Sequence, residues 1–163
     1  MPKYGNAIIV VMNEAQSGTS AIDYEQLRLY ESEYWSVYLH KSQVYLGRTY
    51  AALHREGDLD PFTATTDAEF SEFREIARLV MKVTDTLYQP TKYNHLNLRN
   101  EWPHCHWHTI PRYDSPRYVL GQQFIDNRFG KNPSPYDRTF QPSDNVRAKI
   151  INDFRLGFTA LAR

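Results

Sequence analysis

Three of the chain's six histidines stand at positions 104, 106 and 108, inside the run Pro103-His104-Cys105-His106-Trp107-His108-Thr109-Ile110-Pro111-Arg112. On a strand, alternate residues share one face, with about 6 to 7 Å between successive side chains. The spacing therefore predicts a strand with three imidazoles on one face and Cys105, Trp107 and Thr109 on the other. Side-by-side imidazoles are costly to bury, because each brings two ring nitrogens that need partners. The chain must accordingly build a sheet with one face devoted to a polar site. Cys105 then reads as a small buried hydrophobe and not a nucleophile. Trp107 reads as packing behind the histidines and not as a base-stacking ring.

The elements around this strand follow from local pattern. Residues 35–39 and 48–53 read as strands punctuated by Gly47, with a loop near 41–46, which suggests an antiparallel hairpin. Residues 7–12 are apolar and strand-like, and 16–20 are turn material. Thr66 followed by Glu69 predicts a capping box. Beyond it Phe70, Phe73, Ile76, Ala77, Val80, Val83 and Leu87 line one helical face, and Gln89-Pro90 ends the helix. Residues 93–98 and 103–110 resume strand-like alternation. Residues 143–162 predict a C-terminal helix that buries Val146, Ile150, Phe154 and Phe158. Between strand and helix, residues 111–142 hold five of the nine prolines without clean periodicity, and read as an irregular arm with a functional or interface role. A length of 163 residues fits a single domain spanning 1–163. The order of elements predicts an α+β fold with helices on one side of an antiparallel sheet.

Composition narrows the function classes. Nineteen basic residues balance nineteen acidic ones, so the chain exerts no general pull on nucleic acid or anionic membranes, and any positive charge that meets a phosphate must be local. The longest N-terminal apolar run is too short to span a bilayer, and no signal-like segment opens the chain. The lone Cys105 precludes an internal disulfide and suits a reducing compartment. Together these give the expectation of a cytoplasmic protein with neither a nucleic-acid nor a membrane partner. Aromatic residues make up 14% of the chain, which suits ring-stacking pockets or an apolar interface between copies.

Two kinds of chemistry fit three imidazoles on one strand face. Histidine nitrogens bind zinc, and an alternating pair on a strand offers good ligand geometry. Alternatively, one neutral imidazole attacks phosphorus while its neighbours donate hydrogen bonds to phosphate oxygens and the leaving group.

The flanking residues favour the second. The alternating histidines, preceded by Pro103 and followed by Thr109-Ile110-Pro111-Arg112-Tyr113, resemble the signature of the histidine triad family of nucleotide hydrolases and transferases. The form with Trp107 is similar to a bacterial branch that resembles diadenosine tetraphosphate hydrolases. Tyr45-Leu46-Gly47-Arg48 resembles that branch's Leu-Gly-Arg element, and Leu98-Arg99-Asn100 its Leu-Gly-Asn element. The resemblance spans residues 30–113. It implies a five-stranded antiparallel sheet with flanking helices, a homodimer, and a two-step reaction through a covalent nucleotidyl-histidine.

Carried onto this chain, the resemblance makes His106 the nucleophile, His108 a donor to the phosphate or leaving group, and His104 the residue that orients the others. Asn100 is implied as a contact to phosphate or ribose. Arg48 stands where related chains often carry a fourth histidine, and His40 where an Asn or Asp often grips the ribose. Arg99 stands where a glycine admits the phosphates. Arg48, Arg99, Asn100 and His40 are thus the expected substrate-binding residues. The implied substrate is a nucleotide, such as a dinucleoside polyphosphate or an adenylylated small molecule. No metal or other cofactor is required on this reading, with magnesium entering only alongside the substrate. The competing readings are a catalytically weak nucleotide-binding module and a zinc-dependent hydrolase that uses the histidines as ligands. His54 and His95 are expected as ordinary surface or turn histidines, and Glu56, Asp58 and Asp60 as solvated carboxylates.

Overall fold

The structure is a computed structural model that describes residues 23–162; the strand-like residues 7–12 and the turn at 16–20 lie outside them. A short helix α1 (Tyr24–Leu27) leads into β1 (Arg28–Glu31), β2 (Trp35–Leu39) and β3 (Thr49–Leu53). The long helix α2 (Asp67–Tyr88) follows, then β4 (Lys92–Leu96), β5 (His106–Arg112), β6 (Arg117–Val119), β7 (Gln122–Phe124) and α3 (Asp144–Leu161). Five strands form one sheet in the order β1-β2-β3-β5-β4, and every neighbouring pair runs antiparallel. This is the α+β architecture the sequence predicts.

The two faces of the sheet do different work. Val37, Leu39, Ala51 and Leu53 turn to one face, where they join Ile76, Val80 and Val83 of α2 and Val146, Ile150, Phe154 and Phe158 of α3 in the main core. Tyr38, Tyr50 and Ala52 turn to the other and pack with Tyr24 and Leu27 of α1. Every residue of β2 and β3 is therefore buried. The register pairs Tyr50 with His108 and Ala52 with His106, which puts the histidines on the tyrosine face. Trp107, one residue out of phase, stacks on Phe73 of α2 at 5.2 Å between centroids and packs against the main core.

Helix α2 begins where its sequence dictates. Thr66 Oγ1 accepts from the Glu69 amide at 3.2 Å, and Glu69 Oε2 accepts from the Thr66 amide at 2.7 Å. Such a reciprocal cap contributes about 1 kcal/mol. The two long helices touch closely at Gly157, where an added Cβ would lie 2.7 Å from Val83 Cγ1.

Three expectations are revised. The segment 111–142 is not irregular throughout: Pro111 and Arg112 complete β5, and β6 and β7 form a hairpin. Its strands are three residues each, too short to show a period. Strand β5 begins at His106, so His104 lies in the segment leading into it. His54 is a buried histidine, not a surface one. Its two ring nitrogens are occupied by Ser36 Oγ at 2.9 Å and the Glu33 carbonyl at 3.0 Å.

Buried Arg112 fastens the rest of the arm. Its Nε donates to Asp126 at 2.7 Å with both side chains fully buried. Its remaining donors reach Asn94 Oδ1 at 2.6 Å, the Lys131 carbonyl at 3.0 Å and the Arg128 carbonyl. A buried cation with every donor occupied holds its partners rigidly, because losing Asp126 leaves an uncompensated charge and losing a neutral acceptor leaves an unsatisfied donor.

Candidate active site

His106 and His108 lie side by side on β5, with ring centroids 5.0 Å apart and planes at 89°. The His106 Nδ1–H donates to the carbonyl of His104 at 2.7 Å. A carbonyl only accepts, so this bond fixes the proton on Nδ1 and leaves the Nε2 lone pair free. The His104 Nε2–H likewise donates to the Leu53 carbonyl at 2.6 Å, which ties the approach to β5 onto β3. Asn97 Nδ2 donates to the His106 carbonyl at 2.6 Å from the other side. Trp102 stacks on both His104 and His106, at 4.8 Å to each centroid and with planes within 20° and 27°. Tyr50 meets His106 and His108 edge-on from β3.

His40 and Arg48 flank this group from the β2–β3 hairpin. The His40 ring lies 5.5 Å from that of His108, and the His40 amide donates to the Arg48 carbonyl at 2.9 Å. Fully buried Gln43 knits the loop: its amide nitrogen donates to the carbonyls of His40 and Arg48, and its oxygen accepts from Gly47 N at 2.8 Å. Gly47 has φ +78°, and a Cβ there would meet Tyr88, Thr84 and Phe154 at 3.3 to 3.5 Å. Glycine alone meets both demands. The Arg48 side chain is 5% exposed, and its guanidinium sits 4.7 Å above the ring of Tyr136 from the arm. Its Nε and Nη1 are buried without a hydrogen-bond partner among the described residues.

Burial dominates the electrostatics. It lowers the pKa of His104 and His106. Burial, then the Arg48 charge, holds His40 and His108 well below the usual imidazole value. All four are therefore neutral at pH 7, the state in which an imidazole offers a lone pair. Burial also raises the Cys105 thiol to about 11, consistent with an inert core cysteine.

The other predicted residues are placed differently. Arg99 donates to Asp58 at 2.6 Å and lies 3.5 Å from Asp60, so it spends its charge on the carboxylates expected to be merely solvated. Its backbone has φ +50°, a conformation that favours glycine. Asn100 is exposed and makes no hydrogen bond to the three histidines. Sequence reasoning missed Trp102, Asn97, Gln43 and Tyr136. Only Trp102 carried a signal, an aromatic two residues before His104. Among the described residues, no three His, Cys, Asp or Glu side chains converge as a metal-ligand set. None of the described helices is long and apolar enough to cross a membrane.

No protein-family model matches the chain, and no curated protein matches it in sequence. Solved structures match its fold. A histidine triad protein from Sinorhizobium meliloti 1021 is similar over 86% of this chain and 97% of its own, with a TM-score of 0.67 and 12% identity. A hypothetical histidine triad nucleotide-binding protein from Sulfolobus tokodaii strain 7 is similar over 96% of this chain and 94% of its own, at 0.62 and 16%. A diadenosine triphosphate hydrolase from Plasmodium falciparum is similar over 99% and 100%, at 0.60 and 12%. The chain thus has the fold of histidine triad proteins, in agreement with the resemblance of its sequence motif to that family.

Proposed function

We propose that the protein is a nucleotide hydrolase or nucleotidyl transferase that cleaves a nucleoside 5′-phosphoryl bond through a covalent nucleotide on His106. The observation that carries this reading is the His106 Nδ1 bond to the His104 carbonyl, which leaves Nε2 as a neutral nucleophile beside His108. In the first step the Nε2 lone pair forms a bond to the α-phosphorus, and the bond to the leaving oxygen breaks. A phosphate-type leaving group departs with the electron pair as an anion. The His104 carbonyl then faces a cationic ring, and the charge-assisted bond at Nδ1 strengthens. His108 donates a hydrogen bond to the phosphate or the departing oxygen. In the second step water or another acceptor attacks phosphorus, loses its proton to solvent, and His106 leaves as the neutral imidazole.

Dinucleoside polyphosphates are the substrate class that fits best. Arg48 brings a fixed charge beside His108, with two donor nitrogens unclaimed among the described residues. The Plasmodium falciparum structure of the same fold is a diadenosine triphosphate hydrolase. The chemistry requires no metal held by the protein, so turnover is expected to survive a chelator once the substrate's magnesium is replaced.

Intact-mass measurement after mixing with a panel of nucleotides tests the proposal. Wild type is expected to gain one nucleotidyl mass, and His106→Ala none, with turnover reduced by about three decades or more, on the order of 4 kcal/mol. An alanine variant that keeps more than about a tenth of the rate would remove His106 from the role. Binding without any adduct or turnover would favour the weak binding module, for which the diversion of Arg99 to Asp58 is the supporting observation. Stoichiometric zinc, with activity lost on its removal, would favour the zinc hydrolase.

A further inference from the structure

Nothing in the proposed reaction uses Trp102, yet no other ring among the described residues lies closer to the histidines. Its indole lies 4.8 Å from both the His104 and His106 rings, nearly parallel to each. A buried tryptophan usually finds a partner for its N–H. The Nε1 of Trp102 is buried and has none among the described residues. Hydrogen bonding therefore does not account for the residue's place, and the double stack does.

The stack constrains the ring torsion of His106. Its backbone is fixed by the register with Ala52, and Nδ1 is held by a single bond, to the His104 carbonyl. Rotation of the ring about its last torsion would break that bond and swing Nε2 away. Torsions of this kind are broad and weakly restrained by themselves. A flat ring packed on the imidazole face removes the rotation, while the in-plane lone pair at Nε2 stays uncovered. Because the same indole also packs on His104, it holds the carbonyl-bearing residue and the ring that donates to it as one unit.

We infer that Trp102 is a positioning residue for the nucleophile, clamping the His104 and His106 rings so that the Nε2 lone pair keeps one direction. The inference rests on His106 being the nucleophile, as proposed above. Burial lowers the pKa of His106, and the indole covers one face of that ring. Among the described residues, the titratable groups that face His106 are His40, His104, His108 and Tyr50, with Arg99 as the near cation.

Two readouts on the unliganded and the turning-over protein test this. In Trp102→Ala, kcat on a dinucleoside polyphosphate is expected to fall by roughly 10- to 100-fold, the scale of a misplaced reacting group, while KM stays within about twofold. Trp102→Phe, which keeps a flat ring, is expected to recover most of that loss. Nitrogen NMR of the free protein is expected to show His106 in wild type as the single Nδ1–H form, with its pKa below that of an ordinary imidazole. In Trp102→Ala the two tautomers are expected to average and the pKa to rise toward the ordinary value as water reaches the ring. Trp102→Leu carries the same measurements if the alanine variant does not fold. An unchanged kcat and His106 spectrum would overturn the inference, and so would a raised KM at constant kcat, which would make Trp102 a base-stacking ring. The NMR result needs no turnover. Failure of the nucleotidyl-adduct experiment therefore leaves this one readable.

Discussion

The Arg48 guanidinium is buried beside a row of neutral imidazoles, and selectivity should follow its charge. Arg48 keeps its charge at any working pH, whereas a histidine there would be largely neutral. Each phosphate beyond the scissile bond adds negative charge within its reach. Arg48→His is expected to lower kcat/KM for a dinucleoside polyphosphate by roughly 10- to 100-fold, about 1.5–3 kcal/mol for a charge-assisted contact. The rate on a phosphoramidate with an uncharged leaving group should change much less. Equal losses on both substrates would mean that Arg48 serves the shared α-phosphate or the fold. At this scale the histidine spacing was legible because a two-residue period is itself a statement about one strand face. Gln43, Asn97 and Tyr136 were not legible: each acts through a bond or ring contact to a residue distant in space or local only through a turn. Arg99 shows the opposite failure. Its position resembled a family element, but two carboxylates about forty residues away in sequence determine where its charge goes.

Among the elements, helices α2 and α3 were the most legible, because each is long enough to display its apolar stripe several times over. Their closest contact was not, since nothing local marks Gly157 as the crossing point. Alanine there gains about 1 kcal/mol of helix propensity. Its methyl, however, would stand 2.7 Å from Val83 Cγ1, a β-branched side chain in a fully buried position. Overpacking of this kind costs about 1–3 kcal/mol, so Gly157→Ala is expected to destabilise the fold by roughly 1 kcal/mol net and to lower the denaturant midpoint accordingly. A midpoint equal to or above wild type would show that the helices separate freely. The β6–β7 hairpin and the Arg112–Asp126 anchor were invisible in the sequence for a related reason. Three-residue strands show no period, and a buried ion pair between residues fourteen apart is set by tertiary packing.

For the molecule as a whole, lowering the pKa of five imidazoles makes stability depend on pH. His40, His95, His104, His106 and His108 all have pKa values lowered first by burial. Unfolded, they titrate near 6.5, so below that the unfolded chain binds more protons than the folded one. Their contribution to stability is full above about 6.5 and is lost as pH falls toward the folded values. Denaturant midpoints are expected to drop between pH 7.5 and 5.5, a range above the window in which the carboxylates titrate. Equal midpoints would contradict the burial described here. Assembly is a second property at this scale. Among the described residues, strands β1 and β4 stand at the two edges of the sheet, and Tyr118, Leu120 and Ile125 are 61%, 63% and 45% exposed near the hairpin. Open edges and exposed apolar side chains favour self-association, and a homodimer is expected. Light scattering that returns the single-chain mass of 19.2 kDa at micromolar concentration would refute it. The two-sided use of β5 also bears on how such a chain diverges over time. A one-residue insertion or deletion between 104 and 109 would exchange the two faces, sending Trp107 toward the substrate and a histidine into the core. Descendants can change length in the arm or the hairpin loops, whereas within this strand drift is restricted to substitution.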